Sequence, residues 1–415
     1  MKAAPMSNDS TAPTAMLPLV EQARARIRNH ISLTPCQYSA ELTALTGQQV
    51  FLKLDNLQRT GAFKERGALN KILQLSKEER QRGIVAASAG NHAQAVAYHA
   101  ASRGIRAQIV MPLMTPLVKV SSTRNFGADV VLHGANYDEA YAEAIARSQS
   151  QHMTFLHPFD DLHVIHGQGT IGLELLEQIA GLEAVVVPIG GGGLISGVAG
   201  ALKESNPKIR IIGVQTERLP SMLAACKANA PITLPAEATI ADGIAVRRAG
   251  DITLPLVQRY VDEMVTVDEE EIASAILVLL EREKTLAEGA GAVALAALLH
   301  KKTSLTTQRT AVLVCGGNID VSLLARIIER GLVKDGRRVR IRVHLSDRPG
   351  ALLALTKILA DQQANIVETL HNRAHYGVNL GDTVIDITLE ARGPAHIQAI
   401  SAALLEASYK FERIP

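Results

Sequence analysis

The sequence predicts an α/β protein built on two largely parallel sheets, with a smaller ferredoxin-like unit at its C-terminus. Short apolar segments alternate with helical ones from about residue 49 to residue 315, the order that right-handed crossovers and parallel strands demand. Apolar residues make up 47% of the 415 and aromatics 3%, with 31 glycines and no Trp, which suits close packing of helices on sheets through Ala, Val, Ile and Leu. Past Asp335-Gly336-Arg337-Arg338 the period changes, and Val339, Ile341, Val343 and Leu345 alternate with Arg340, Arg342 and His344.

Composition narrows the function classes. A formal charge of +2, without a basic tract interleaved with aromatics, excludes nucleic acid as the expected partner. Three cysteines, Cys36, Cys226 and Cys315, are too few and too scattered for a disulfide framework or a thiolate zinc site, and point to a reducing cytoplasm. Apolar runs fall short of a membrane span, and the N-terminus has no apolar signal-peptide core, so no membrane partner is expected.

Residues 1–16, rich in Ala, Ser, Pro and Asn, are expected to form a mobile tail. A catalytic domain is expected over 17–334, with a smaller subdomain of about 65–160 inserted in it. Residues 17–31 place Val20, Ala23, Ile27 and Ile31 at helical spacing. Residues 49–54 form a short strand leading to Thr60-Gly61-Ala62-Phe63-Lys64-Glu65-Arg66-Gly67, where Lys64 opens a helix. Apolar runs predict strands at 83–87, 107–111, 129–132, 184–189, 209–215 and 310–315. Helices are predicted at 91–102, 116–126, 137–149 and from Gly193 to about residue 205. The tail domain, 338–415, reads as strand, helix to about 363, strand 366–372, a loop with Gly377 and Gly381, strand 384–390, helix 395–407 and strand 409–414. That βαββαβ order is ferredoxin-like.

In parallel sheets ligands bind beyond the carboxyl ends of strands, and Lys64, Ser88, Gly190 and Cys315 all fall at or near such ends. A lysine between glycines and an aromatic can be partly desolvated. That lowers its pKa, and only the neutral amine can form a Schiff base. The octapeptide alone reads better as a solvated lysine at a helix start. Gly190-Gly191-Gly192-Gly193 would let backbone N–H groups converge on an anion at a helix start, although close backbone packing explains four glycines as readily. Gly190 to Gly197 contains no dinucleotide fingerprint.

In order, the Lys64 octapeptide, Ser88-Ala89-Gly90-Asn91-His92, the tetraglycine and Cys315-Gly316-Gly317-Asn318 resemble the active-site segments of the fold-type II pyridoxal-phosphate enzymes. These have the tryptophan-synthase-β-like fold, and within them the chain most resembles the threonine and serine dehydratases, from Leu33 to Val333. The tail, with Asp347-Arg348-Pro349-Gly350-Ala351 in its first turn, resembles an ACT domain.

The resemblance implies pyridoxal 5'-phosphate on Lys64, with Phe63 lining the ring, Asn91 on its phenolic oxygen, and Gly190, Gly191, Gly192, Gly193 and Leu194 around the phosphate. It places Cys315 against the pyridine nitrogen, Gly243 and Glu288 beside the ring, and Ser88, Ala89, Gly90, Asn91 and His92 around the substrate carboxylate. Lys64 is then the catalytic base. Taken alone, Glu288 reads almost as well as a solvated helix start, and Cys315 as a buried small hydrophobe. A neutral thiol leaves the ring a weaker electron sink than a carboxylate would, which favours elimination. Ala89 stands where related serine racemases carry a second acid/base serine, and His92 where β-replacement enzymes carry Thr; both differences favour a dehydratase.

The implied activity is loss of water from L-threonine, and from L-serine, giving 2-oxobutanoate or pyruvate and ammonia. The ACT resemblance implies an amino-acid effector, isoleucine or valine, near Asp347, Arg348, Pro349, Gly350, Ala351 and Asn365, and a homodimer or homotetramer. No metal is expected. Gln215 and Ser221 replace the carboxylates of metal-binding relatives, and His152, His157, His163 and His166 suit no single helix face. The alternatives are a related lyase or racemase acting on serine or 3-hydroxyaspartate, and a non-catalytic amino-acid sensor. Intact Lys64, Asn91 and glycine loop count against the sensor.

Overall fold

A computed structural model of the chain describes residues 15–306, 308–372 and 381–414; the expected tail at 1–14 and the loop at Gly377 lie outside the described residues. The chain divides into two compact units, Met1–Ile319 and Asp320–Pro415. The helix Val321–Lys334 therefore belongs with the second unit, one element earlier than the sequence reading puts the boundary. Met16 already opens the helix Met16–Ile27 and is buried, inside the span read as tail.

The first unit holds the two expected sheets. The larger has six strands in the order Cys36–Ser39, Gln49–Leu54, Arg309–Val314, Ala184–Pro188, Arg210–Thr216 and Glu263–Val267. All pairs are parallel except the first, a short antiparallel edge that the sequence reading does not contain. The smaller sheet is wholly parallel: Asp129–Leu132, Ala107–Met111, Ile84–Ala87 and Thr154–Phe155. Its strands lie inside the expected subdomain, and Ile84–Ala87 and Ala107–Met111 are buried throughout, as strands covered on both faces must be.

One unread element organises the unit. The helix Leu162–Gln178 is buried on every side over its middle turns and carries Gly167, Gly169 and Gly172. A Cβ at Gly167 would stand 2.6 Å from the Cα of Gly67, and one at Gly169 would stand 2.8 Å from the Gly197 carbonyl oxygen. A helix-interior glycine costs about 1 kcal/mol relative to alanine. Here it lets backbones approach closely, so the helix Lys64–Leu73 and the helix Gly193–Ser205 both lean on the same spine. The lysine and the glycine loop are thus fixed to one rigid element.

A buried ion network locks the Lys64 helix from its other side. Arg66, fully buried, donates to both oxygens of Asp55 at 2.7 and 2.8 Å and to both of Glu174 at 2.6 and 2.9 Å. Lys53 donates to Glu174 at 2.6 Å, and Thr34 Oγ1 to Asp55 at 2.6 Å. Two cations face two anions, so the cluster is neutral. Burial alone would raise the Asp55 pKa, but the Arg66 guanidinium outweighs it and holds the carboxyl below its ordinary range.

The second unit forms a four-stranded antiparallel sheet in the order Asn365–Asn372, Asp382–Glu390, Arg338–Ser346 and Phe411–Ile414. With the helices Ala351–Asp361 and Pro394–Glu406 it has the expected βαββαβ chain order. Val339, Ile341, Val343 and Leu345 face its core with Leu355, Leu359, Ile385, Ile387 and Leu404.

Candidate active site

Lys64 is the first residue of its helix, and its position is set by hydrogen bonds on either side of the chain. Phe63 N donates to the Cys315 carbonyl at 3.0 Å, and Gly317 N to the Gly61 carbonyl at 2.9 Å. Ala62 and Gly316 form an antiparallel bridge between these rungs. The lysine loop is thereby fastened to the segment that leaves the strand Arg309–Val314 at its carboxyl end. Lys64 Nζ donates to the Pro158 carbonyl at 2.8 Å and lies 5.2 Å from the centre of the buried Phe63 ring. Desolvation lowers its ammonium pKa to about 8, against the opposing pull of Cys315 and Glu288.

The tetraglycine packs on Phe159, the residue after the Lys64 acceptor. A Cβ on Gly191 would run into the Phe159 ring, one on Gly193 would stand 2.8 Å from the Phe159 carbonyl, and one on Gly190 would stand 3.1 Å from the Ile244 Cα. Gly192 has φ +98° and begins the turn into the helix Gly193–Ser205. Among the described residues no acceptor meets the N–H groups of Gly191, Gly192 and Gly193. The close-packing reading of the four glycines is observed, and the unshared N–H groups at the helix start are compatible with the anion reading. Leu194 is buried in the large core.

The loop after Ile84–Ala87 supplies the third wall. Gly90 N donates to Ser88 Oγ at 3.2 Å, and a Cβ at Gly90 would meet nothing within 4 Å, so the loop faces open space. Ala89 packs its methyl toward the core of the smaller sheet. Asn91 donates to Glu288 Oε1 at 2.6 Å. The side chain of His92 turns inward, with Nε2 2.9 Å from the Leu156 carbonyl; burial and the nearby Lys64 charge lower its pKa to about 3.

Glu288 is a buried carboxyl at the start of the helix Gly289–Leu299, not a solvated one. Burial, aided by Asp242, pushes its pKa up to about 7. A Cβ at Gly243 would lie 3.3 Å from Glu288 Oε1, so the Asp242-Gly243 turn borders the same group. Cys315 is buried, its Sγ 3.5 Å from the Ala290 carbonyl, and burial raises the thiol well above its ordinary range, so it stays protonated.

The sequence reading missed the segment from His157 to Asp160, which carries the Lys64 acceptor and the ring behind the glycines. His157 Nδ1 accepts from Asp160 N at 2.7 Å, and Asp160 Oδ1 caps the helix Thr253–Tyr260 through Ile252 N at 2.9 Å and Thr253 N at 3.1 Å. Thr253 Oγ1 donates in turn to the Gly191 carbonyl at 2.6 Å. His157 is thus a loop anchor. Gln215 and Ser221 are both engaged within the fold, Gln215 accepting from Leu223 N at 2.9 Å and Ser221 donating to the Val246 carbonyl at 2.6 Å.

In the second unit Asp347 N donates to the Gly381 carbonyl at 2.8 Å, Arg348 and Pro349 continue the turn, and Gly350, with φ +89°, begins the helix that Ala351 opens. Asn365 donates to Glu390 at 2.9 Å.

A desolvated lysine amine bonded to Pro158, with the neighbouring Phe159 packed on a loop of unshared backbone donors, suits an enzyme that holds an anionic carbonyl cofactor through an amine. The family model described as "Pyridoxal-phosphate dependent enzyme" matches residues 27–316, well over half of the chain, and the chain belongs to that family. It is 50% identical over 391 residues to the L-threonine ammonia-lyase of Thermotoga maritima, covering 94% of this chain and 97% of that one. It is 45% identical over 328 residues to "L-threonine dehydratase catabolic TdcB" of Staphylococcus aureus, covering 78% of this chain and 94% of that one. Among solved structures, the processed form of threonine deaminase isoform 2 from Solanum lycopersicum superposes with a TM-score of 0.73 at 35% identity, over 79% of this chain and 90% of that one.

The residues present fit the cofactor. Lys64 offers an amine with a depressed pKa, the glycine loop offers unshared N–H groups that no side chain could replace, and Cys315 offers a neutral thiol.

Proposed function

We infer that this chain is a threonine ammonia-lyase: it removes water from L-threonine, and from L-serine, and releases 2-oxobutanoate or pyruvate with ammonia. Relatives bearing that name at 45–50% identity over most of the chain support the substrate class. The single structural observation that carries the reading is the half-buried Lys64 amine held beside the glycine loop.

In this reading Lys64 carries the covalent link to pyridoxal phosphate, and Gly190 to Gly193 and Leu194 hold the phosphate by backbone N–H groups. Phe63 would line the ring, Asn91 would serve the phenolic oxygen, Gly243 and Glu288 would border it, and Cys315 would meet the ring nitrogen. When bound, the cofactor supplies an electron sink for the charge left at Cα. The Lys64 amine, in its neutral form, would accept the α-proton; a pKa near 8 leaves part of it neutral at physiological pH. The backbone of the loop Ser88 to His92 orients the substrate carboxylate. The β-hydroxyl leaves with a proton as water, the enamine product hydrolyses, and the water lost is returned.

Ala89 argues against the racemase alternative, because a methyl group cannot deliver a proton to the opposite face. Ketoacid release measured over threonine, serine and 3-hydroxyaspartate, with chiral analysis of recovered substrate, tests the assignment. Fastest release from threonine without its D-isomers is the expected outcome; no release from any of the three, or racemised substrate, contradicts it. Lys64→Ala is expected to abolish turnover.

The second unit is read as an ACT-like effector domain, on the strength of its βαββαβ order, its strand order and the Asp347 to Ala351 turn. Titrating activity against isoleucine and valine tests this, and flat curves would leave a structural role. The ACT resemblance implies a homodimer or homotetramer, and three free cysteines accord with a reducing compartment. No described helix is long and apolar enough to cross a membrane.

A further inference from the structure

We propose that Asn318 is a positioning residue that fixes which way the Asn91 amide faces, keeping an N–H of Asn91 directed to the cofactor's phenolic oxygen. The proposal rests on the reading that Asn91 serves that oxygen.

An asparagine amide turned over exchanges donor and acceptor ends at nearly unchanged shape. Its direction must therefore be set by a neighbour of fixed polarity. The Thr60 carbonyl is such a neighbour, since it can only accept. It accepts from Asn318 Nδ2 at 2.7 Å, and the same nitrogen gives its second hydrogen to Asn91 Oδ1 at 2.8 Å. Gln94 Oε1 stands farther off, at 3.5 Å. With Asn91 Oδ1 so occupied, Asn91 Nδ2 points to Glu288 Oε1 at 2.6 Å, and its second hydrogen stays free for a ligand. Turned over, Asn91 would set its NH2 against that of Asn318, which the Thr60 carbonyl holds in place.

The place of Asn318 in the fold supports this role. It follows the rungs that join Cys315 to Phe63 and Gly317 to Gly61, so its side chain adds a last rung to Thr60. Gly61 has φ +76°, and a Cβ there would stand 2.5 Å from Asn318 Oδ1, so the amide uses the space the glycine leaves. Thr60 precedes the lysine helix, whereas Asn91 opens a helix of the smaller sheet. Asn318 spans the two from an exposed rim.

The test is a double-mutant cycle read as pyridoxal phosphate affinity, by absorbance titration of cofactor-free protein. Asn318→Asp keeps the shape but turns only acceptors to Thr60 and Asn91. It is expected to weaken binding about 5- to 30-fold in the wild-type background and less than about 2-fold beside Asn91→Ala. Its absorbance should also shift from the near-visible band toward the shorter-wavelength one, because a phenolic oxygen without its donor holds a proton more tightly. Asn318→Ser, which keeps one donor, should show a smaller loss with the same dependence on Asn91, and it serves if the Asp variant does not fold. Equal losses in both backgrounds, or none, overturn the proposal. Wild type that binds no pyridoxal phosphate sinks the functional reading and this proposal together, whereas binding with additive losses sinks only the role of Asn318.

Discussion

Lys64 Nζ donates to the Pro158 carbonyl oxygen at 2.8 Å, so the amine is held by a neutral acceptor that leaves its charge uncompensated. Desolvation then decides its pKa, which falls to about 8. Only the neutral amine attacks an aldehyde, and below the pKa its fraction grows tenfold per pH unit. Stopped-flow capture of pyridoxal phosphate by cofactor-free protein should rise at that slope up to about pH 8 and level off above it. A rate still climbing toward pH 10 would mean an ordinary solvated lysine.

Glu288 shows the opposite shift. Its folded-state pKa, about 7, lies above its unfolded value near 4.5, so the folded chain holds this proton more tightly. Stability from this group is complete below the unfolded value and is lost as pH rises from about 4.5 through 7. Glu288→Gln removes that dependence while keeping an acceptor for Asn91. Denaturant unfolding of cofactor-free protein should show the variant gaining on wild type across that window, by on the order of 2–3 kcal/mol at pH 8 relative to pH 4.5. A gap that does not change with pH would contradict the buried, protonated carboxyl.

Gly191 is the position where a single methyl tests the anion cradle, because its Cβ would enter the Phe159 ring. Gly191→Ala should cost about 1–3 kcal/mol of stability through overpacking. Cofactor affinity, followed by absorbance, should fall more than tenfold as the loop moves. Unchanged affinity would place the phosphate elsewhere.

Arg66 lies two residues beyond the lysine and is the hub of the buried charges. Arg66→Met leaves Asp55 and Glu174 facing Lys53 alone, an uncompensated buried charge that should cost about 3–5 kcal/mol in chemical denaturation. Adding Glu174→Gln restores neutrality, with Lys53 against Asp55, and should recover part of the loss. Additive damage would show that packing, not charge balance, sets the cost.

Much of this architecture could be read from the residues because its chemistry lies in short contiguous segments at strand ends, and the strands and helices around Lys64, Asn91 and Gly193 fall within one or two residues of expectation. The helix Leu162–Gln178 escaped for a physical reason. It is buried on nearly all sides over its middle turns, so it does not show the polar-apolar period that marks a surface helix. The segment from His157 to Asp160 escaped differently. Its contributions are a backbone carbonyl, a ring behind a glycine and a cap on a helix some ninety residues away, none of which leaves a local pattern. Glu288 could not be distinguished from a solvated helix start until its burial was known.

The central claim is that one amine, that of Lys64, holds the cofactor. Protein loaded with pyridoxal phosphate, reduced with borohydride and mapped by peptide mass answers it directly. The account predicts a single pyridoxyl-modified peptide, the one containing Lys64, and no labelled peptide from Lys64→Ala. A label on another lysine, or undiminished labelling of that variant, would contradict it.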